Sequence, residues 1–310
     1  MKRDFLNISD LSKEEVQAVI DYAIELKQNK FQDKSLLNKS IGLIFMKQST
    51  RTRVSFEVGV YQMGGQPLYI SGQTTQLSRN EEIKDTARVL SRYLDGIVIR
   101  TFAHKEVEEL AQYGTIPVIN ALTDYLHPCQ ILADLQTIKE IFGKIEGLKL
   151  AYIGDGNNMA NTWLIAGGLM GLNVSVATPE GYEPNGKAVS EALELAKKTG
   201  AKIEITNSPE EAVKEADILY TDVWVSMGQE GKAEKIKDFE GFTIDDRLLS
   251  YAKDSAVVMH CLPAHKGEEI TEEVFERFAD VIFNEAENRL HAQKALMSLL
   301  FNGELANRLR

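Results

Sequence analysis

The sequence predicts an α/β protein of two doubly wound parallel-sheet domains, and three observations predict it. Short β-branched runs alternate with amphipathic segments along nearly the whole chain. A glycine-containing stretch, FGKIEG, separates one such series from a second. The unusual polar clusters fall at the ends of the β runs rather than inside them. In parallel sheets covered on both faces, ligands sit at the carboxyl ends of strands, near a switch point.

The first series opens with a helix. Ser12 and Glu15 make a capping-box pattern, and Val16, Val19, Ile20, Ala23 and Leu26 follow at helical spacing. Next come the strand IGLIF, a helix over 51–63 closed by Gly64 and Gly65, and the strand PLYI. A helix over 81–94, strand GIVIR, helix HKEVEELAQYG, strand IPVIN and a helix from Pro128 complete the series. The second series has the strands KLAYI, NVSVAT, KIEIT, DILYT, AVVMH and DVIF, with helices over 189–198 and 209–215. From Glu285 onward the pattern is one long helix, expected to cross back to the first half. The expected domains are therefore 1–143, joined by 285–310, and 144–284.

Bulk properties bound the function. At 310 residues, 44% hydrophobic and 26% charged, the composition is that of a globular protein with room for two cores. No apolar stretch reaches the length of a membrane span, and MKRDFLNISDLSKEE lacks the apolar region of a secretory signal. Cys129 and Cys261 are the only cysteines, which points to a reducing, cytoplasmic setting. The net charge of −11 argues against nucleic acid or an anionic membrane as partner. Positive charge for any anion site must therefore be local.

At the end of IGLIF stands STRTR, Ser49 to Arg53. One reading is a capped, solvated helix start. The other is an anion cradle, in which first-turn N–H groups, the helix dipole, two hydroxyls and the planar fork of Arg51 hold a phosphate. Arg51 and Arg53 point to opposite sides of the helix, so Arg51 is the expected ligand and Arg53 the partner in a salt bridge. Arg100 ends GIVIR, and His127, Pro128, Cys129 and Gln130 follow IPVIN. Taken alone, His127 reads as a packed loop histidine rather than a ligand.

The second series offers three more clusters. GDGNN follows KLAYI, but Met159 stands where a dinucleotide loop needs its third glycine, and no acidic residue ends the following strand, so a cofactor-binding oxidoreductase stays only as a weaker alternative. Asn157 and Asn158 either bind a carboxylate or ammonium group or cap the next helix. DVWVSMG follows DILYT and opens a long glycine-containing stretch to Phe242. That stretch is either a binding loop or lid, or a solvated helix over 232–237, with Trp224 anchoring it in both cases. His260, Cys261 and His265 are zinc-ligand types, yet Pro263 makes a turn there and no second cluster has matching spacing, so no metal is expected.

Taken in order, STRTR, the RTF containing Arg100, HPCQ and HCLP resemble the aspartate/ornithine carbamoyltransferase family over essentially the whole chain. DVWVSMG, HCLPAH and EAENRLHAQKA are similar to its ornithine-using branch. The resemblance implies carbamoyl transfer from carbamoyl phosphate to the δ-amine of L-ornithine, giving L-citrulline and phosphate. It implies catalytic roles for Arg100, His127 and Cys261. Carbamoyl phosphate would be bound by Ser49, Thr50, Arg51, Thr52, Gln76, Arg100, His127, Gln130, Cys261, Leu262 and Arg289, with Gln76 reaching from a neighbouring subunit. Ornithine would be bound by Asn158, Asp222, Ser226 and Met227. No metal and no organic cofactor is implied. The resemblance further implies a homotrimer or a multiple of trimers in the cytoplasm, and a place in arginine metabolism in either direction. Met46, Gln48 and Asn80 depart from the family's usual residues, at positions that are not ligands. Two other readings stand beside this one: a carbamoyltransferase for another amine, such as putrescine or acylated ornithine, and a catalytically silent binding protein of the same fold.

Overall fold

The computed structural model describes residues 2–28, 32–72, 81–225 and 233–310. The chain divides into two compact units, residues 1–136 with 287–310, and residues 137–286. The first helix, α1 (Lys13–Lys27), starts at the Ser12 and Glu15 capping box. The first unit is then built from β1 (Ser40–Phe45), α2 (Thr50–Gln62), β2 (Gln66–Ser71), α3 (Ile83–Leu90), β3 (Gly96–Arg100), α4 (His104–Tyr113) and β4 (Val118–Leu122). Its four strands pair in parallel in the order β2-β1-β3-β4. Order reverses between β1 and β3, which makes their carboxyl ends the switch point. STRTR follows one of these strands and Arg100 ends the other.

The second unit repeats the plan. α5 (Pro128–Phe142) leads into β5 (Lys149–Ile153), α6 (Asn158–Met170), β6 (Asn173–Ala177), α7 (Gly186–Thr199), β7 (Ile203–Thr206), α8 (Pro209–Val213) and β8 (Ile218–Thr221). After it come α9 (Ala233–Asp238), α10 (Asp246–Leu249), β9 (Val257–His260) and α11 (Glu272–Arg277). The five parallel strands lie in the order β7-β6-β5-β8-β9, so the switch point falls between β5 and β8. GDGNN and DVW follow those two strands, and HCLP begins at the last residue of β9. Trp163 of α6 is wholly buried and meets Tyr220 edge-on at 5.3 Å, while Tyr220 stacks with Tyr152 at 6.1 Å. Each such ring contributes about 1.5–3 kcal/mol through burial alone, and the three pack α6 against β5 and β8.

Four expected elements differ. DVIF is not a strand but the first turn of α12 (Ala279–Leu300), in which Ile282, Glu285, Asn288 and Arg289 are buried at helical spacing while Phe283 is exposed. A four-residue apolar run has no period of its own, and the pattern after it decides. The last helix therefore begins at Ala279 rather than Glu285. It stops where Asn302 takes a φ of 53°, before α13 (Glu304–Arg308). From Glu287 onward it belongs to the first unit. α3 ends at Leu90 rather than Leu94, because Arg92 and Tyr93 donate to the carbonyls three residues back and tighten the last turn. β4 starts at Val118, just after Pro117, which has no N–H for the ladder.

Candidate active site

In the first unit, Ser49 is the N-cap of α2, and its hydroxyl accepts the Thr52 N–H at 3.2 Å. The capped-helix reading of STRTR is thus correct as local structure, and a hydroxyl that accepts still has a proton to donate. Thr52 is buried, and two guanidinium groups converge on its hydroxyl. Arg100 Nη1 donates to Thr52 Oγ1 at 3.4 Å, and Arg289 Nη2 donates to the same oxygen at 3.3 Å. Arg289 also donates from Nη1 to Gln130 Oε1 at 2.6 Å and from Nε to Gln293 Oε1 at 3.0 Å. Gln130 in turn donates to Asp134 at 2.7 Å, and Gln293 to Ser55 Oγ at 2.9 Å. The result is a concentration of positive charge at the N-terminal, positive end of α2, inside a chain whose net charge is −11.

His127 directly precedes α5 and is buried. Its burial first, then the nearby Arg289 and Arg100, hold the imidazole well below the usual histidine range. A neutral imidazole has one N–H to donate and carries no charge to repel the guanidiniums. Thr50 and Arg51 are exposed at the open end of the helix. Arg53 instead pairs with Glu57 at 3.0 Å and lies 3.5 Å from the Tyr69 ring centroid, as expected of the arginine facing away. Gln76 falls outside the described residues, as do Ser226 and Met227.

In the second unit the centre is a carboxylate. Asp222 accepts from Asn157 Nδ2 at 2.9 Å, from the Val223 N–H at 2.8 Å and from the Cys261 thiol at 3.1 Å. Asn157 caps α6 through its side-chain oxygen, which accepts from Met159 and Ala160 at 2.8 and 3.3 Å. It thereby does two structural tasks, while Asn158 begins the helix, half-buried. Gly156 is explained without a nucleotide: a Cβ there would lie 2.3 Å from the Tyr182 carbonyl. Leu262 packs against the core under β8 and β9. The zinc-type set of His260, Cys261 and His265 is not assembled. The metal-type group found among the described residues is His265, Glu268 and Glu269, with ligand atoms within 4.8 Å of one another.

Several supporting residues escaped the sequence reading. Gln293 and Asp134 stand four residues after Arg289 and Gln130, so helical spacing was a signal for both. Lys235 had no such signal: it is buried on α9 and pairs with Asp155, at the end of β5, at 2.6 Å. The helix expected over 232–237 is α9, and Trp224 stacks on Phe239 just beyond it at 5.1 Å.

Family models match both halves in order. The carbamoyl-P binding domain of aspartate/ornithine carbamoyltransferase covers residues 3–140, and the Asp/Orn binding domain covers residues 146–300. The chain belongs to the aspartate/ornithine carbamoyltransferase family. Within that family, an ornithine carbamoyltransferase from Aquifex aeolicus is 52% identical over 303 residues, 97% of this chain and 98% of that protein. The solved ornithine carbamoyltransferase of Pyrococcus furiosus is 47% identical with a TM-score of 0.92, covering 97% of each chain. The anabolic ornithine carbamoyltransferase of Campylobacter jejuni is 45% identical, also with a TM-score of 0.92, over 97% of this chain and 99% of that one. Family membership displaces the dinucleotide reading of GDGNN.

Proposed function

We propose that this protein transfers the carbamoyl group of carbamoyl phosphate to the δ-amine of L-ornithine, giving L-citrulline and phosphate. The observation that carries the reading is the convergence of Arg100 and Arg289 on Thr52 at the start of α2; Thr52 and Arg100 lie in the stretch matched by the carbamoyl-P binding model, and Arg289 joins them from the C-terminal helix of the same unit.

Carbamoyl phosphate is a reactive mixed anhydride, so the protein's task is chiefly to orient it and exclude water. Ser49, Thr50, Arg51 and Thr52, with the first-turn N–H groups of α2, hold the phosphate, and Gln76 and Arg289 assist. Arg100, His127 and Gln130 hold the carbamoyl group. As the neutral δ-amine attacks the carbonyl carbon, negative charge grows on the carbonyl oxygen. The bond to the phosphate oxygen then breaks, and the amine loses a proton. Donors already in place for both oxygens lower the barrier because they need no reorganisation. A neutral His127 donates to the carbonyl oxygen and leaves the guanidiniums undisturbed.

In the second unit Asp222 pairs with the α-ammonium of ornithine and Asn158 with its α-carboxylate, while Ser226 and Met227 enclose the α-carbon groups. Cys261 and Leu262 contact both substrates, and Cys261 is the candidate proton acceptor. Residues 1–143 with 285–310 form the carbamoyl phosphate domain and 144–284 the ornithine domain. The active assembly is a homotrimer or a multiple of trimers in the cytoplasm, which a solution mass measurement checks.

Citrulline formation from the two substrates tests the reading. Turnover supports it. Carbamoyl phosphate binding without turnover supports the silent binding protein instead.

A further inference from the structure

The two substrate residues after β9, Cys261 and Leu262, lie on a turn of uncommon shape. Leu262 has a φ of 57°, in the left-handed region that a residue with a bulky side chain seldom occupies. His260 bonds to the backbone at that point. The Leu262 N–H donates to Nδ1 of His260 at 2.9 Å. A ring nitrogen that accepts bears no proton, so Nε2 bears it and donates to Glu269 Oε1 at 3.0 Å. Both side chains are wholly buried. The same carboxylate oxygen accepts the His265 N–H at 2.6 Å, so one imidazole and one carboxylate tie together both sides of the turn. The backbone of His260 is fixed in its turn by Glu285, which accepts its N–H at 3.0 Å and the Tyr220 hydroxyl at 3.1 Å.

We propose that His260 is a positioning residue for carbamoyl transfer: its Nδ1 holds the Leu262 backbone and so keeps the Cys261 thiol beside Asp222. The proposal rests on the reading that Cys261 and Leu262 meet the substrates. Two variants separate the ring nitrogens. His260→Asn places an amide oxygen near the position of Nδ1 and leaves Glu269 unreached. His260→Gln reaches Glu269 and offers Leu262 no acceptor. The readouts are the iodoacetamide alkylation rate of Cys261 and the steady-state constants for both substrates.

His260→Asn is expected to keep alkylation within about twofold and kcat/KM for ornithine within about fivefold of the wild type. His260→Gln is expected to change alkylation about fivefold or more and to lower kcat/KM for ornithine by about 50-fold, with KM for carbamoyl phosphate changed less than about twofold. Equal impairment of the two variants, or a His260→Gln enzyme like the wild type, overturns the proposal. If neither variant folds, histidine ¹⁵N spectra of the wild type decide. A protonated Nε2 with a bare Nδ1 supports the proposal, and the opposite tautomer overturns it. A wild-type protein that makes no citrulline overturns the underlying reading instead, while alkylation and ¹⁵N spectra still report whether His260 holds the turn.

Discussion

At the switch point of the first unit the polar groups are two guanidiniums, a helix N-terminus and a neutral imidazole. At that of the second they are the Asp222 carboxylate, two amides, a thiol and the Asp155 carboxylate, the last already neutralised by Lys235. The two sheets share one plan, all parallel with a reversal of strand order, yet the charge placed at the reversal is opposite. The scaffold therefore provides a place, and the loops determine which ligand charge is welcome there. On the proposed reading a phosphate goes to the first unit and an ammonium group to the second. Substitutions that fail to separate the two ligands would break this comparison.

The largest expected effect is at Arg51. Because its side chain is exposed at the open end of α2, Arg51→Ala should lower kcat/KM for carbamoyl phosphate by about 10²–10³-fold while leaving the melting temperature unchanged. Near-normal activity in that variant refutes the phosphate cradle. Next, Asp222→Asn should raise KM for ornithine by about 10–100-fold and leave carbamoyl phosphate binding intact. An equal loss for both ligands would show that charge is not divided between the units as described.

A third test concerns stability against pH. His127 is held below its ordinary value of 6.5 by burial and by Arg289 and Arg100. Above that value the imidazole is neutral in both the folded and unfolded chains and contributes no slope. As pH falls through it, the unfolded chain takes up a proton that the folded chain refuses. Stability should then fall by up to about 1.4 kcal/mol per pH unit until the depressed folded value is reached. In His127→Asn this component of the acid slope, read by denaturant titration at several pH values, should vanish. The smallest effect is expected at Arg53. Its pair with Glu57 and its contact with Tyr69 are partly exposed, so Arg53→Gln should cost about 0.3–1 kcal/mol of stability. Activity in that variant should stay within about threefold of the wild type.

Much of this was legible in the sequence because parallel sheets write their strands as short apolar runs and expel polar residues to the ends. STRTR, Arg100, His127, Asp222 and Cys261 could all be placed at strand ends in that way. The division between Arg51 and Arg53 followed from helical geometry alone. What stayed hidden were partners brought together by the fold across long stretches of chain. Arg289 reaches Thr52 from the far end of the sequence, and Lys235 reaches Asp155 across the second sheet. No local period reports such contacts. His260 was undecided in a different way: the sequence argued against a metal ligand there without saying what the ring does, and only its two hydrogen bonds reveal that both nitrogens hold protein. DVIF misled through brevity, since an apolar run of four residues fits a strand as well as a helix.

Cys129 and Cys261 also differ as the two halves do. Burial pushes the Cys129 thiol up to about 12, whereas Cys261 is part-exposed beside Asp222. Iodoacetamide should therefore modify one thiol per chain, and mass spectrometry should locate it at Cys261.

The most direct test of the central claim is the rate of carbamoyl transfer to a panel of amines that includes L-ornithine, putrescine and acylated ornithine. The proposed pairing of Asp222 with the α-ammonium and of Asn158 with the α-carboxylate predicts that L-ornithine has the highest kcat/KM. Faster turnover of putrescine, which lacks the α-carboxylate, or of acylated ornithine, which lacks the free α-ammonium, would contradict it.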